Sequence, residues 1–210
     1  NVNLDGKGGN DTFNFADGAS VTGTLDGGTQ DVGGEDVISF AGNTTAATVN
    51  LNNLNNIEKV IGGNGGDTLI GSTGGSTFIV DGFNSGTVDT IRLVSFENLT
   101  GLGGNDSFSF TNGGQLSGVI DGGLGTDSLS FAAMTSQRIV KLTSVGGLDG
   151  FNGNESSIAS GFKNINTLTG SASNNDQLIG LDVFLNTVDV AVWAINNTRT
   201  YSAKIGRAHV

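Results

Sequence analysis

Residues 122–130 read Gly-Gly-Leu-Gly-Thr-Asp-Ser-Leu-Ser, and this stretch decides how the rest of the chain is interpreted. It matches the nonapeptide template G-G-x-G-x-D-x-U-x, in which U is a large apolar residue. Residues 62–70, Gly-Gly-Asn-Gly-Gly-Asp-Thr-Leu-Ile, match the template as well. Glycine supplies the positive φ angles of a tight turn, and alternating apolar residues are typical of a strand. The template therefore predicts a unit of turn, acidic side chain and β-strand.

Looser versions of this unit recur along the chain. They place an aspartate before a short apolar segment at Asp11, Asp36, Asp106 and Asp176. Two long copies, about residues 1–95 and 96–189, repeat the same order of phrases, and a third copy begins in residues 190–203. Repetition at two levels is typical of proteins built from stacked structural units.

The composition restricts the class of protein. Glycine provides 36 of the 210 residues, against roughly 15 in an average sequence of this length, while proline and cysteine are absent. Without cysteine, the chain has neither disulfides nor thiolate chemistry. The net charge of −11 disfavours nucleic acid and anionic membranes as partners. No apolar run is long enough for a membrane-spanning segment, so we expect no membrane insertion.

Both ends of the sequence suggest a fragment. It begins with Asn1 rather than methionine, and residues 204–210, Lys-Ile-Gly-Arg-Ala-His-Val, resemble a translated read-through rather than natural sequence. We therefore expect a piece of a longer protein whose repetitive part is residues 1–203. The single histidine, His209, falls in this tail, which leaves no histidine for acid–base catalysis.

The alternating apolar pattern predicts an all-β fold with little or no helix. Strands of about four to six residues cannot bury an apolar face alone, so they need neighbours above and below. We predict a parallel β-helix or β-solenoid with β-roll-like turns, and the alternative is a pair of β-sandwich domains of about 100 residues each. The predicted inward-facing residues are Phe13, Phe15, Ile38, Phe40, Leu69, Phe78, Val80, Phe108, Phe110, Leu129, Phe131, Leu178 and Ile179.

Two longer phrases add to the nonapeptides. Residues 96–106 read Phe-Glu-Asn-Leu-Thr-Gly-Leu-Gly-Gly-Asn-Asp, and residues 119–127 read Val-Ile-Asp-Gly-Gly-Leu-Gly-Thr-Asp. The nonapeptides resemble the hemolysin-type (RTX) calcium-binding repeat, and the longer phrases resemble bacterial β-strand-repeat or filamentous-haemagglutinin-like adhesins. The resemblance implies export, a place outside the cell or on its surface, and contacts with host or surface glycans and proteins.

In hemolysin-type repeats, calcium is held between turns by aspartate carboxylates and backbone carbonyl groups, so the resemblance implies calcium ions as cofactor. The implied ligands are the aspartates and glycines of the two full nonapeptides and the aspartates of the looser copies, namely Asp67, Asp127, Gly62, Gly63, Gly65, Gly122, Gly123, Gly125, Asp11, Asp36, Asp106 and Asp176. Only residues 62–70 are followed directly by a second unit, in which Ser76 replaces the aspartate. The alternative is that each aspartate accepts backbone N–H groups of its own turn.

Three functions follow from these features. The first is a non-enzymatic structural or adhesive segment of a large secreted or cell-surface bacterial protein. The second is a calcium-dependent folding or secretion module of an exported enzyme or toxin. The third is a polysaccharide-active β-helix enzyme, with Asp26 and Asp36 or Asp121 and Asp127 as a carboxylate pair. Because these aspartates belong to the repeated phrase, a role in turns is favoured and we expect no enzymatic activity.

Overall fold

The structure is a computed structural model that describes residues 3–21, 23–30 and 32–181, together with the backbone of two strands, Val192–Ile195 and Arg199–Ser202. The predicted all-β class is confirmed. The described residues form β-strands and one short 3₁₀ turn at Leu51–Asn53, with no α-helix among them. The tail predicted at residues 204–210, and the start of the third repeat apart from its strand backbone, lie outside the described residues.

The strands are short, and most of them follow a glycine-rich or polar turn. The first eight are β1 (Leu4–Asp5), β2 (Thr12–Asn14), β3 (Leu25–Asp26), β4 (Val37–Ser39), β5 (Thr48–Asn50), β6 (Leu54–Asn55), β7 (Lys59–Ile61) and β8 (Thr68–Ile70). The next seven are β9 (Thr77–Gly82), β10 (Ser85–Val88), β11 (Ile91–Val94), β12 (Asn98–Thr100), β13 (Ser107–Thr111), β14 (Ile120–Asp121) and β15 (Ser128–Ala133). The last seven are β16 (Ile139–Val145), β17 (Phe151–Glu155), β18 (Ile158–Ile165), β19 (Thr167–Thr169), β20 (Gln177–Ile179), β21 (Val192–Ile195) and β22 (Arg199–Ser202).

The chain passes back and forth between three sheets. Sheet I has the strand order β2-β4-β7-β11-β10-β9-β13-β15-β19-β21-β22, sheet II has the order β20-β16-β17-β18-β14-β12-β8-β5, and sheet III has the order β1-β3-β6. After a strand or a hairpin group in sheet I, the chain visits sheet II or III and then returns to sheet I. Apart from the hairpin groups, each returning strand lies parallel to the strand before it in the same sheet.

The parallel register is regular. In sheet I, Thr77 of β9 pairs with Ser107 of β13, and Ser107 pairs with Ser128 of β15. The next strand continues the row, because Ser128 pairs with Thr167 of β19. The first residues of successive strands therefore stand side by side, and the residues just before them are aligned as well.

The sheets are open and mixed, which departs from the prediction of a wholly parallel architecture. Strands β9, β10 and β11 form an antiparallel meander in sheet I, and β16, β17 and β18 form another in sheet II. The turns of the first meander contain Asn84, with a φ of 49°, and Asp89, with a φ of 51°. Neither of these turns is of the glycine–aspartate type from which the parallel architecture is predicted.

One hydrophobic core joins the sheets. It is a single cluster of buried residues from Leu25 to Leu168, rather than the two separate cores of a sandwich pair. Strand β13 pairs with β9 across the boundary predicted between the two long copies. The inward positions confirmed as fully buried are Ile38, Phe40, Leu69, Phe78, Val80, Phe108, Phe110, Leu129 and Phe131.

Four predicted core residues are not fully buried. Phe13, Phe15 and Leu178 are only partly buried. Phe13 and Leu178 lie on edge strands, which have a neighbouring strand on one side only, and Phe15 directly follows one of these strands. Ile179 is 45% exposed, so its prediction was wrong. Successive residues of a strand point to opposite faces, and Leu178 already occupies the inward position.

Candidate functional site

The six predicted aspartates share one structural position, directly before the first residue of a strand. Asp11, Asp36, Asp67, Asp106, Asp127 and Asp176 precede β2, β4, β8, β13, β15 and β20, respectively. We call this the pre-strand position. Because the strands that follow these aspartates pair in parallel register with their neighbours, residues at this position in paired strands lie next to each other.

At the pre-strand position, a carboxylate of one strand accepts the backbone N–H of the preceding strand. The Ser76 N–H donates to Asp106 Oδ1 at 2.6 Å, and the Asp106 N–H donates to Asp127 Oδ1 at 2.8 Å. The same bond joins Asp11 to Asp36, Ala47 to Asp67 and Arg138 to Asp176. Five of the six aspartates are therefore backbone acceptors, and Asp11 takes part through its N–H. The donors of these bonds come from the neighbouring strand rather than from the turn of the aspartate that accepts them.

Three further acceptors, which the sequence interpretation missed, complete these rows. Glu58 Oε2 accepts the N–H of Asp36 at 2.8 Å, and Asn166 Oδ1 accepts the N–H of Asp127 at 2.7 Å. Glu97 does the same for Asp67 at 2.7 Å. All three occupy the third position of one repeated phrase, for example Asn-Ile-Glu at residues 56–58. An acceptor at this position in every copy was the signal that could have identified them.

Glycines of the predicted calcium site make room for the second carboxylate oxygen. A Cβ atom on Gly122 would lie 2.6 Å from Asp127 Oδ2, and a Cβ atom on Gly62 would lie 2.7 Å from Asp67 Oδ2. These distances are too short for non-bonded atoms. The first glycine of each nonapeptide is thus required where the carboxylate approaches the backbone of the turn.

The other predicted glycines shape the turn itself. Gly123 and Gly125 have φ angles of 93° and 138°, which residues with a side chain rarely adopt. The Gly63 N–H donates to Asp67 Oδ2 at 2.5 Å. At Gly65, a Cβ atom would lie 2.7 Å from a neighbouring backbone nitrogen. The nonapeptide glycines therefore have roles in turn geometry and in close backbone packing.

Four of the pre-strand aspartates have one buried oxygen without a hydrogen-bond partner. These atoms are the Oδ2 oxygens of Asp11, Asp36, Asp106 and Asp127. A buried carboxylate with an unpaired oxygen is costly, because it has lost its water without a full replacement. Asp67 differs from these four, since its Oδ2 accepts the N–H of Gly63.

The electrostatic surroundings reinforce this cost at two of them. Burial raises the pKa of Asp106 to about 6, and the nearby carboxylates of Asp127 and Asp89 add to the increase. Burial also raises the pKa of Asp127, with contributions from Asp149 and Asp121. Both shifts follow from placing negative charge in a dry and already acidic region.

These residues fit a calcium site only in part. Calcium takes about six to eight oxygen ligands. In the part of the chain that the structure describes, no group of three or more His, Cys, Asp or Glu is arranged to hold a metal ion. Both oxygens of Asp67 already accept N–H groups, whereas Asp127 keeps Oδ2 unpaired. A calcium ion at Asp127 would need backbone carbonyls for most of its ligands, and calcium binding stays a prediction.

The two candidate carboxylate pairs for catalysis contain residues engaged in turns. Asp26 Oδ1 accepts the backbone N–H two residues further on, at 3.0 Å, and the side-chain amide of Asn56 at 2.9 Å. Asp121 Oδ1 makes the same two contacts, at 3.2 Å with the backbone and at 2.7 Å with Asn164. These contacts are the turn roles that the repeated phrase predicts for both residues.

Comparisons with known proteins give no match to this chain, whether with protein-family models, with curated proteins or with solved structures. Among the described residues, no helix is long and apolar enough to cross a membrane. A functional assignment therefore depends on the geometry of the pre-strand residues and on the sequence phrases that contain them.

Proposed function

We propose that this chain is a structural, non-enzymatic segment of a β-solenoid in a large bacterial repeat protein, secreted or held at the cell surface. One coil is the chain from one strand to the next parallel strand of the same sheet. The observation that carries the proposal is the pre-strand hydrogen bond, which recurs from Asp11 to Asp176 and links neighbouring coils in sheets I and II. Side chains that form hydrogen bonds from one coil to the next along a stack are suited to a long, stalk-like protein.

The core supports the same proposal. Phe78, Phe108 and Leu129 occupy one inward row on three neighbouring strands. The rings of Phe78 and Phe108 are stacked, with centroids 4.6 Å apart and planes within 8° of each other. The apolar surface of each coil is thus covered by the next coil, and a stack of such coils gains stability from every neighbour.

The antiparallel meanders supply the adhesive part of the proposal. Phe83, in the turn between β9 and β10, is 66% exposed. Val145 and Leu148, at the turn between β16 and β17, are 51% and 59% exposed. Large apolar side chains at exposed turns are suited to contacts with glycans or proteins on another surface, whereas the net charge of −11 disfavours nucleic acid.

Stretching single molecules tests the stalk. With the chain held at both ends, we expect it to lengthen in several steps, because each coil contacts only its neighbours. A coil of about 20 to 40 residues releases roughly 7 to 14 nm when it is extended. One all-or-none step for the whole chain would contradict a stack of coils.

An activity assay tests the third function, a polysaccharide-active β-helix enzyme. Turnover of acidic polysaccharides by the chain, lost on Asp121→Asn or Asp127→Asn, would support that function instead.

A calcium-dependent folding module of an exported enzyme or toxin is the second candidate, and the unpaired Oδ2 of Asp127 favours it. Bound calcium would supply the positive charge that this oxygen lacks. Melting curves by circular dichroism, in EDTA and then in millimolar calcium, test it. Calcium at 100-fold above its Kd would add about 2.7 kcal/mol, or roughly 5 to 10 °C in Tm.

Two comparisons make the calcium result specific. Magnesium at the same concentration separates a calcium site from general screening of the negative charge. The Asp127→Asn variant should lose the calcium response, and Asp17→Asn, which changes an exposed aspartate outside the nonapeptides, should keep it. Equal Tm values in EDTA and calcium would remove this candidate and leave the structural proposal unaffected.

A further inference from the structure

An open groove of about 370 Å³ lies on the antiparallel meander that β16, β17 and β18 form in sheet II. Its volume is within the range of small-molecule sites in proteins, about 300 to 1,000 Å³. The groove is on the outer face of the sheet, because the exposed residues of β16 that line it alternate with buried ones. The residues that line it include Ile139, Lys141, Asn154, Glu155, Ser156 and Ile158.

Three exposed polar side chains border the groove. Lys141 stands opposite Asn154 in the register of β16 and β17, and both side chains are exposed. Among the residues that the structure describes, Lys141 forms no ion pair with a carboxylate. Ser156 Oγ donates to Glu155 Oε1 at 2.9 Å, so its lone pairs stay available as acceptors. The groove therefore offers a ligand one positive charge, one amide and one hydroxyl oxygen.

A buried ion pair holds the turn that forms one wall of the groove. Arg138 Nη1 donates to Glu155 Oε1 at 3.2 Å and to Ser157 Oγ at 2.9 Å, and the Ser157 N–H donates to Glu155 Oε2 at 2.8 Å. The two charged side chains are only 11% and 0% exposed. Removing charges from water is costly, so their hydrogen bonds must be well formed, and they fix the turn that carries Ser156. Because Arg138 balances Glu155, the groove keeps the charge of Lys141.

This part of the chain departs from the acidic character of the whole. Residues 138–165 contain three basic and two acidic residues, and so have a net charge of +1, whereas the chain carries −11. The second acid, Asp149, lies in the turn between β16 and β17, where its Oδ2 accepts the N–H of Gly125. At physiological ionic strength, exposed charges more than about 8 Å apart are largely screened. An anion in the groove therefore responds mainly to Lys141.

We propose that this groove binds a sugar acid, a sugar ring that carries one carboxylate, within an acidic polysaccharide. The inference rests on the adhesive part of the proposed function and names the chemical class of its partner. The ammonium group of Lys141 pairs with the carboxylate, and Asn154 and Ser156 form hydrogen bonds with ring hydroxyls. Ile139, which is 47% exposed, supplies an apolar surface for the C–H groups of the ring.

An extended peptide fits this surface less well than a sugar. Peptides that bind along a sheet add a strand to an unpaired edge. Strand β16 lies between β20 and β17, β17 lies between β16 and β18, and β18 lies between β17 and β14. None of the three strands that form the groove therefore has a free edge, and its ligand must bind through side chains.

Isothermal titration calorimetry with the full chain tests the proposal. The probes are oligomers of galacturonic acid and of glucuronic acid, and the controls are neutral galactose and glucose oligomers of the same length. Salt at about 0.15 M screens distant charges, and EDTA removes calcium that would bridge the ligand to aspartates of the chain. We expect an acidic oligomer to bind at least about tenfold more tightly than its neutral counterpart.

Lys141→Gln and Lys163→Gln form a matched pair of variants. Each removes one exposed lysine charge from the same meander, but Lys163 does not line the groove. Lys141→Gln should weaken binding about tenfold or more, the loss expected for a charge-assisted hydrogen bond, whereas Lys163→Gln should stay within about twofold. Because both residues are exposed, both variants should melt at the temperature of the native chain.

Two results would overturn the proposal. The first is that neither acidic oligomer binds more tightly than its neutral counterpart. The second is an equal loss in the two lysine variants, which would show that the ligand responds to the general charge of the region. Neither result would affect the stepwise extension expected of the stalk, so failure of the groove and failure of the stalk are distinguishable.

Discussion

Replacement of Phe108 by alanine is expected to lower the free energy of unfolding by about 3 to 5 kcal/mol. Phe108 is completely buried, stacks on Phe78 at 4.6 Å and pairs in register with Leu129. The cavity left by alanine would lie between Phe78 of β9 and Leu129 of β15, and it could not close unless both of these strands moved. Urea unfolding followed by circular dichroism measures the loss.

Phe83→Ala is the control for this prediction. The same group of atoms is removed, but Phe83 is 66% exposed, so its contribution to the core is small. We expect its effect to stay within about 0.5 kcal/mol. Similar losses in the two variants would show that Phe108 does not lie in a continuous core.

Gly101→Ala should also be strongly destabilising, by about 2 to 3 kcal/mol, although the backbone at Gly101 has no positive φ. The added Cβ atom would lie 2.3 Å from Asp106 Oδ2 and from the carbonyl oxygen of Gly122. Since the second of these atoms belongs to the backbone of the next strand's turn, rotating the Asp106 side chain relieves only part of the clash. Equilibrium unfolding in urea checks the size of the effect.

Gly103→Ala, two residues further along the same turn, separates this clash from the general effect of adding a methyl group. The nearest atom to its new Cβ would be the carbonyl oxygen of Leu124, at 3.9 Å. Its free energy of unfolding should change by less than about 1 kcal/mol. If Gly101→Ala were as mild as this control, the carboxylate would not pack against Gly101 as described.

The local parts of the fold could be predicted from the sequence, because they depend on neighbouring residues. Alternation placed Phe108 and Leu129 in the core, and the template placed Asp106 and Asp127 directly before their strands. The apolar alternation and the nonapeptide template each span only a few residues. They can therefore be recognised without knowing which strands pair. The prediction for Ile179 was wrong because Leu178 and Ile179, which are adjacent in a strand, were both assigned to the inward face.

The partners of the aspartates could not be predicted in the same way. The pre-strand bonds join residues that are 20 to 39 positions apart, and the spacing differs from one bond to the next. Which N–H meets which carboxylate depends on sheet register, and no local pattern encodes that register. Glu58 and Asn166 were missed for this reason, since their role is visible only when the neighbouring strand is in place. The first antiparallel meander was missed because its turns, which contain Asn84 and Asp89, lack the glycine–aspartate signal.

The two meanders also bear on how the chain reaches its folded state. In β9, β10 and β11 the paired residues are close in sequence, and the same holds for β16, β17 and β18. A hairpin forms in about 1 to 10 μs, whereas parallel pairing first requires a long loop to close. Each of the two large sheets therefore contains a three-stranded antiparallel segment that can form early and alone. Folding is expected to begin at these two segments, and the parallel strands then add outward from both of their edges.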